Sequence, residues 1–128
     1  MRKAVSTELK AAGIITCVGS LQRLAIRYAN EPGTIMLDGK FEIVSLTGTV
    51  AESGSHLHIS VSDSTGKTIG GHLKEGSIIY TTAEIIIAVL TDVEYTREVD
   101  PTYGYKELSV SKAKTKKASP INSKHKSK

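Results

Sequence analysis

Four histidines occur among the 128 residues: His56, His58, His72 and His125. Three of them fall where a metal ion can use them. In Ser55-His56-Leu57-His58-Ile59-Ser60-Val61-Ser62 a strand alternates its side chains between two faces. Leu57, Ile59 and Val61 then share one face, and His56 and His58 share the other. Asp63 to Lys67 is a turn. The three-residue loop Ser64-Thr65-Gly66 suits a type I turn closed by a residue at positive φ, which is the place for Gly66. That loop sets a register in which Asp63 opposes Lys67, Val61 opposes Ile69, and His58 opposes His72. Opposed residues point to one face with Cβ atoms ~5 Å apart, and a residue two along is ~7 Å away, which is where His56 lies. The apolar residues agree: Leu57, Ile59, Val61, Ile69 and Leu73 all fall on the opposite face, and a one-residue slip would put His72 among them. Gly70-Gly71 is where a bulge would break this register.

Three imidazoles this close are either metal ligands or polar residues on a solvated or interfacial sheet face. Zinc takes imidazole nitrogen at ~2.0–2.1 Å, and three ligands leave a fourth position for water or a carboxylate. Zinc or another divalent metal is therefore the expected cofactor. Glu42, Glu84 or a partner subunit could supply the fourth ligand, or a hydrogen bond that orients the histidines. The competing reading of both glutamates is a salt bridge to Arg23, Arg27 or Arg97. Other chemistries lack their motifs. Ser60, Ser62 and Asp63 stand near the histidines, but no Gly-x-Ser-x-Gly elbow is present. Neither Gly-x-x-x-x-Gly-Lys-Ser/Thr nor Gly-x-Gly-x-x-Gly occurs. Cys17, in the apolar run Ile14 to Val18, reads as a small core residue.

The elements that must position the histidines are mostly strands. The first ten residues are polar and are expected to start a short helix running into Ala11 and Ala12. Ile14 to Val18 is a β-branched run ended by Gly19-Ser20. Leu21 to Tyr28 alternates, with Leu24, Ile26 and Tyr28 inward. Thr34 to Leu37 is a short strand, turned by the hairpin dipeptide Asp38-Gly39, and Phe41 to Val50 is the next. Thr68 to Leu73 returns from the histidine strand. Glu84 to Leu90 is nearly all apolar and reads as a central strand buried on both faces. Val93 to Val99 alternates and is expected to pair with it, and Lys106 to Val110 is a last short strand. Short strands separated by turn residues indicate a mostly antiparallel sheet.

Length, at 128 residues, implies one domain. No apolar run approaches the ~20 residues that cross a bilayer as a helix, and nothing apolar follows the basic N-terminus as in a secretory signal. A single cysteine forms no internal disulfide, so an intracellular location, cytoplasmic or nuclear, is expected. The net charge of +4 is unevenly spread. Seven lysines and no acid lie after residue 110, which leaves ten cations against thirteen anions before it. The basic character belongs to the tail, and a mildly acidic folded part argues against a broad DNA-binding face. Residues 111–128 have one large apolar residue, Ile121, and are read as disordered. Lys112, Lys114, Lys116 and Lys117 there suit weak contact with a phosphate backbone.

Taken in order, Gly39-Lys40-Phe41-Glu42-Ile43-Val44-Ser45-Leu46-Thr47-Gly48-Thr49, His56-Leu57-His58, Asp63…Gly66…Ile69-Gly70-Gly71-His72-Leu73 and Thr82-Ala83-Glu84 resemble the PPC (plants-and-prokaryotes-conserved) domain, found beside AT-hooks in plant nuclear proteins. The resemblance covers roughly Ala11 to Ser109. It implies an α/β (α+β) fold, a mostly antiparallel sheet with a short flanking helix, assembled as a homotrimer. The domain would span residues 1–110, with little room before Ala11 for the family's opening strand and first helix. It implies that His56, His58 and His72 match histidine positions that look metal-containing in some microbial members. It also implies that Gly39, Lys40, Phe41, Glu42 and Ile43 match a segment associated with protein partners. The Arg-Gly-Arg-Pro hook that contacts DNA in plant members is absent from this sequence, which argues against direct minor-groove binding.

The leading expectation is thus a non-catalytic, oligomeric binding module with a three-histidine metal site, associated with DNA-bound regulatory complexes. The strands supply too little core for a lone unit, and subunit contacts would add burial. A metal-dependent enzyme using water held by the three histidines is the alternative, and it requires a pocket with a general base beside them. A DNA-associated regulator binding through the tail is the third reading.

Overall fold

Two long strands organise the chain. In this computed structural model residues 9–114 are described. They form β1 (Ala11–Arg27), β2 (Ile35–Ala51), β3 (Gly54–Ser62), β4 (Thr68–Leu73), β5 (Ile78–Val89), β6 (Val93–Val99) and β7 (Lys106–Lys112). β1 pairs with β2, β2 with β3, β3 with β4, and β4 returns to the end of β1, where Ile26 opposes Leu73 and Arg27 opposes His72. Four antiparallel strands therefore close on themselves, which removes their free edges. β5 adds along the other side of β1, and β6 and β7 form a separate hairpin.

Closure turns one face of each strand inward. Cys17, Leu21, Leu24, Ile26, Leu46, Ile59 and Val61 are buried together, with Leu57, Ile69 and Leu73 packed against them. Leu24, Ile26 and Val61 are fully buried, and each such side chain contributes about 1.5–3 kcal/mol by leaving water. Cys17 sits inside this cluster, where burial pushes its thiol above the ordinary value. It is the small core residue that its apolar surroundings imply.

Several expected elements differ. No helix occurs among the described residues, so the short flanking helix is not seen in them; residues 1–8, where a helix is expected to start, lie outside the described residues. Ala11 and Ala12, expected to continue a helix, are fully buried at the start of β1, and Ala12 opposes both Val50 and Val89. Pairing on both sides overrides alanine's helix propensity. β1 is one strand rather than two, with a register shift between Leu21 and Arg23 against both β2 and β5. β2 likewise runs straight through Asp38-Gly39, which is not a hairpin. Asp38 opposes Arg23 and binds its guanidinium through Nε at 2.6 Å and Nη2 at 3.3 Å, so long-range pairing wins over turn chemistry.

Glu84 to Leu90 is not central. β5 is the outer strand of the five, and β1 occupies the middle. Ile85, Ile86 and Ile87 are exposed in the single chain, together with Ile15 and Val18 of β1. Nor does Val93 to Val99 pair with β5. The Leu90 N–H donates to the carbonyl of Ala11 and the Tyr95 N–H to that of Lys10, so the chain crosses the start of β1. β6 then pairs with β7, from Val93 opposite Lys112 to Val99 opposite Lys106. β7 thus includes Ser111 and Lys112, the first two residues of the segment read as unstructured. No helix among the described residues is long and apolar enough to cross a membrane.

Candidate metal centre

The β3–β4 hairpin has the register its sequence dictates. Ser62 opposes Thr68, Val61 opposes Ile69, and His58 opposes His72. Gly66 takes φ +82° and donates its N–H to the Asp63 carbonyl. The Asp63 carboxylate accepts the Thr65 hydroxyl and the N–H groups of Thr65 and Lys67; the Thr65 hydrogen bond leads in holding it below the usual carboxylate range. No bulge forms at Gly70-Gly71 between these strands. Instead the glycines allow close backbone approach: a Cβ on Gly71 would stand 2.6 Å from the Arg27 carbonyl of β1. On the other flank Gly48 of β2 opposes Leu57 at φ +141°, and a Cβ there would overlap the His56 carbonyl oxygen. Glycine on both sides brings the neighbouring strands in under the histidine pair.

His56, His58 and His72 meet on the outer face. Each offers one ring nitrogen such that the three lie within 4.8 Å of one another. His56 Nε2 and His72 Nδ1 are 3.2 Å apart, with their rings stacked at 13° and 5.0 Å between centroids. His58 stands edge-on to His72 at 4.4 Å. Two nitrogens on one tetrahedral ion, each at ~2.0–2.1 Å, are about 3.3 Å apart. The His56–His72 spacing already fits, and His58 is exposed beside them. Burial, then the positive charge of Arg97, pushes the His56 pKa below its ordinary value. Burial, then Arg27, does the same to His72. Both rings are therefore neutral near pH 7, with lone pairs available to a cation.

Other expected site residues lie elsewhere. Glu42 and Glu84 are both exposed, and neither belongs to the histidine group among the described residues. Glu42 opposes Ser62, five residues from Thr47, the partner of His58; at ~3.3 Å per residue that is about 16 Å away along β2. Glu84 opposes Val18 on the far side of β1. Neither forms the salt bridge expected with Arg23, Arg27 or Arg97; Arg23 pairs with Asp38 instead. Gly39 to Ile43 lies in β2, where Lys40 stacks over the Tyr80 ring at 3.3 Å. Lys112 and Lys114 are exposed, and Lys116 and Lys117 lie outside the described residues.

Sequence reasoning missed the neighbours of the histidines. The β6–β7 hairpin lies beside them, leaving a cleft of about 690 Å3 whose walls include Arg27, Asn30, His56, His72, Arg97 and Glu107. A smaller cleft of about 260 Å3 opens on the His58 side, and Arg97 lines that one too. The available signal was alternation: Arg97 falls in line with Val93 and Tyr95, so β6 carries a cation on its half-buried face.

A small closed β-barrel carrying a three-histidine cluster on its outer face defines a class of β-rich domain with a candidate metal site. The family model for the Plants and Prokaryotes Conserved (PCC) domain matches residues 1–91, and the chain belongs to that family. It is 40% identical over 109 residues to the bifunctional protein GlmU of Synechococcus sp. (strain JA-2-3B'a(2-13)), a match that covers 85% of this chain and 17% of that protein. The chain thus spans less than a fifth of that relative's length. A hypothetical protein from Salmonella cholerae-suis is 42% identical, with TM-score 0.80 over 82% of this chain and 76% of that one. A metal-containing protein from Archaeoglobus fulgidus shares the fold at 23% identity and TM-score 0.63, covering 77% of this chain and 74% of that one.

Proposed function

We propose that this chain is a PCC-type binding module that holds a divalent metal ion, zinc by choice of donors, on His56, His58 and His72, and that it works as a homotrimer. The observation that carries the reading is the 3.2 Å between His56 Nε2 and His72 Nδ1, with His58 beside them. Three imidazoles suit zinc and related borderline ions, and they leave a coordination position open. The Archaeoglobus relative, described as metal-containing, supports the same reading. Assembly is supported by β5: an outer strand whose Ile85, Ile86 and Ile87 face solvent in one chain is an edge that a second copy would cover. The number three comes from the family resemblance. The test is elemental analysis of the purified full chain against His58→Ala, with mass measured by light scattering. About one zinc per chain, lost in the variant, supports the site. Equal metal in both, with both folded, refutes it.

A second reading is favoured by one observation. The histidines open on a cleft rather than being sealed, and Glu107 on its wall is a carboxylate of the kind a general base requires. A divalent ion in such a place lowers the pKa of water toward neutrality. Hydrolysis of an activated ester by the zinc-loaded chain, abolished by Glu107→Gln with zinc retained, would move the assignment from module to enzyme. Association with DNA-bound complexes rests on the lysine-rich tail. It predicts salt-sensitive DNA binding that disappears when residues 113–128, beyond β7, are removed.

A further inference from the structure

We propose that the larger cleft beside the histidines is a binding site for a small oxyanion ligand, a carboxylate or phosphate, held by the guanidinium groups of Arg27 and Arg97 with its head at the histidine group. The ligand's approach to a bound ion rests on the metal reading above; the guanidinium contacts do not.

The first support is where the two arginines come from. Arg27 ends β1, opposite His72 in the sheet. Arg97 is in β6, on a hairpin that reaches the site from outside the closed strands. Its backbone is tied to the β2–β3 turn, the Arg97 N–H donating to Ser53 Oγ at 3.1 Å. Two independent elements thus bring like charges to one cleft.

The second support is their hydrogen bonding. Arg27 Nη1 donates to the Glu31 carbonyl at 3.1 Å, and Arg97 Nη2 to the Lys106 carbonyl at 2.6 Å. Each bond anchors one end of a five-donor fork and leaves other N–H groups unused. Among the described residues neither arginine pairs with a carboxylate. Lys106 also lines the cleft, against a single acid, Glu107. With neutral histidines the walls carry three cations and one anion, and a bound metal would add to the positive side. Like charges gathered around neutral ligands destabilise one another unless an anion joins them. Planar forks at a concave site favour carboxylate or phosphate over neutral ligands, and about 690 Å3 admits a small molecule rather than a polymer.

Isothermal titration calorimetry of the full chain at pH 7.5 tests this, with malonate and inorganic phosphate as probes and sodium chloride at matched ionic strength as reference. Both zinc-loaded and metal-stripped protein are titrated. We expect one oxyanion per chain, weakened tenfold or more by Arg97→Gln and by Arg27→Gln. Glu107→Gln should tighten binding, since it removes the opposing charge; a residue with a purely structural role would not produce that sign. Lys67→Gln, at the hairpin tip outside the cleft, should leave it unchanged. Arg97→Lys, which keeps charge without the fork, should fall between. Circular dichroism checks that each variant is folded. Absence of oxyanion binding in zinc-loaded protein, or binding indifferent to both arginines, overturns the proposal. Failure to take up zinc refutes the metal reading alone, because the metal-stripped arm still reads the arginine-dependent contact.

Discussion

Gly48→Ala should damage this protein far more than its chemistry suggests, and Gly54→Ala shows why. Both glycines sit in the left-handed half of backbone space, Gly48 at φ +141° and Gly54 at φ +137°. A side chain at either position carries backbone strain of about 1–3 kcal/mol. Only Gly48 is also crowded. A Cβ at Gly54 meets nothing within 4 Å, whereas one at Gly48 overlaps the His56 carbonyl oxygen and comes within 2.9 Å of Leu57 Cα. Ordinary carbon contacts lie at ~3.5–4.0 Å, so clearing Leu57 Cα alone would part β2 and β3 by about 0.6–1.1 Å, and clearing the overlapped carbonyl oxygen requires more. Losing one or two ladder hydrogen bonds there costs about 0.5–1.5 kcal/mol each. Gly48→Ala should then destabilise by about 1.5–6 kcal/mol, and Gly54→Ala by about 1–3 kcal/mol. Urea unfolding followed by circular dichroism measures both. Because the opening lies between Thr47 and Thr49, the partners of His58 and His56, Gly48→Ala should also weaken zinc uptake, and Gly54→Ala should not. Equal losses in the two variants, or a Gly48→Ala chain as stable as the parent, would refute the close-approach argument.

Leu24→Ala, at a position with no exposed surface, should cost about 2–5 kcal/mol in urea unfolding. The pH dependence follows from the two histidines whose pKa values are pushed down in the folded chain. The unfolded chain protonates them near the ordinary value of about 6.5, so it binds more protons than the folded chain just below that pH. Their contribution to stability is intact above about pH 6.5 and is lost as pH falls through it toward the lower folded values. The urea midpoint of the metal-free chain should drop between pH 7.5 and 5, with a smaller drop in the His56→Gln/His72→Gln double variant; equal slopes would contradict this. Zinc affinity should weaken over the same interval, since protons compete for the ligands, and calorimetry at several pH values reads it. Ile86→Lys, at a side chain 60% exposed in one chain, should lower the mass seen by light scattering without unfolding the monomer. An unchanged mass would remove β5 from the proposed interface.

The histidine cluster was legible because everything that positions it is local. Strand alternation has period two, the Ser64–Gly66 loop fixes the offset, and Leu57, Ile59 and Val61 have one face on which they can be buried. Those constraints lie within about twenty residues, so no distant segment was needed to place His58 against His72. The motif run from Gly39 to Glu84 also led to the family that the chain proves to belong to. The remaining architecture depended on partners that periodicity does not name. An apolar run such as Ile85-Ile86-Ile87 says that something must cover it, not that covering strands come from the same chain, and β5 stands at the outside. Asp38-Gly39 has turn chemistry, yet Arg23 across the sheet held it extended. Closure of β1 through β4, and the hairpin that carries Arg97 to the histidines, bring together segments far apart in sequence. Such contacts are decided by the summed packing of the whole chain, which no short window of residues contains.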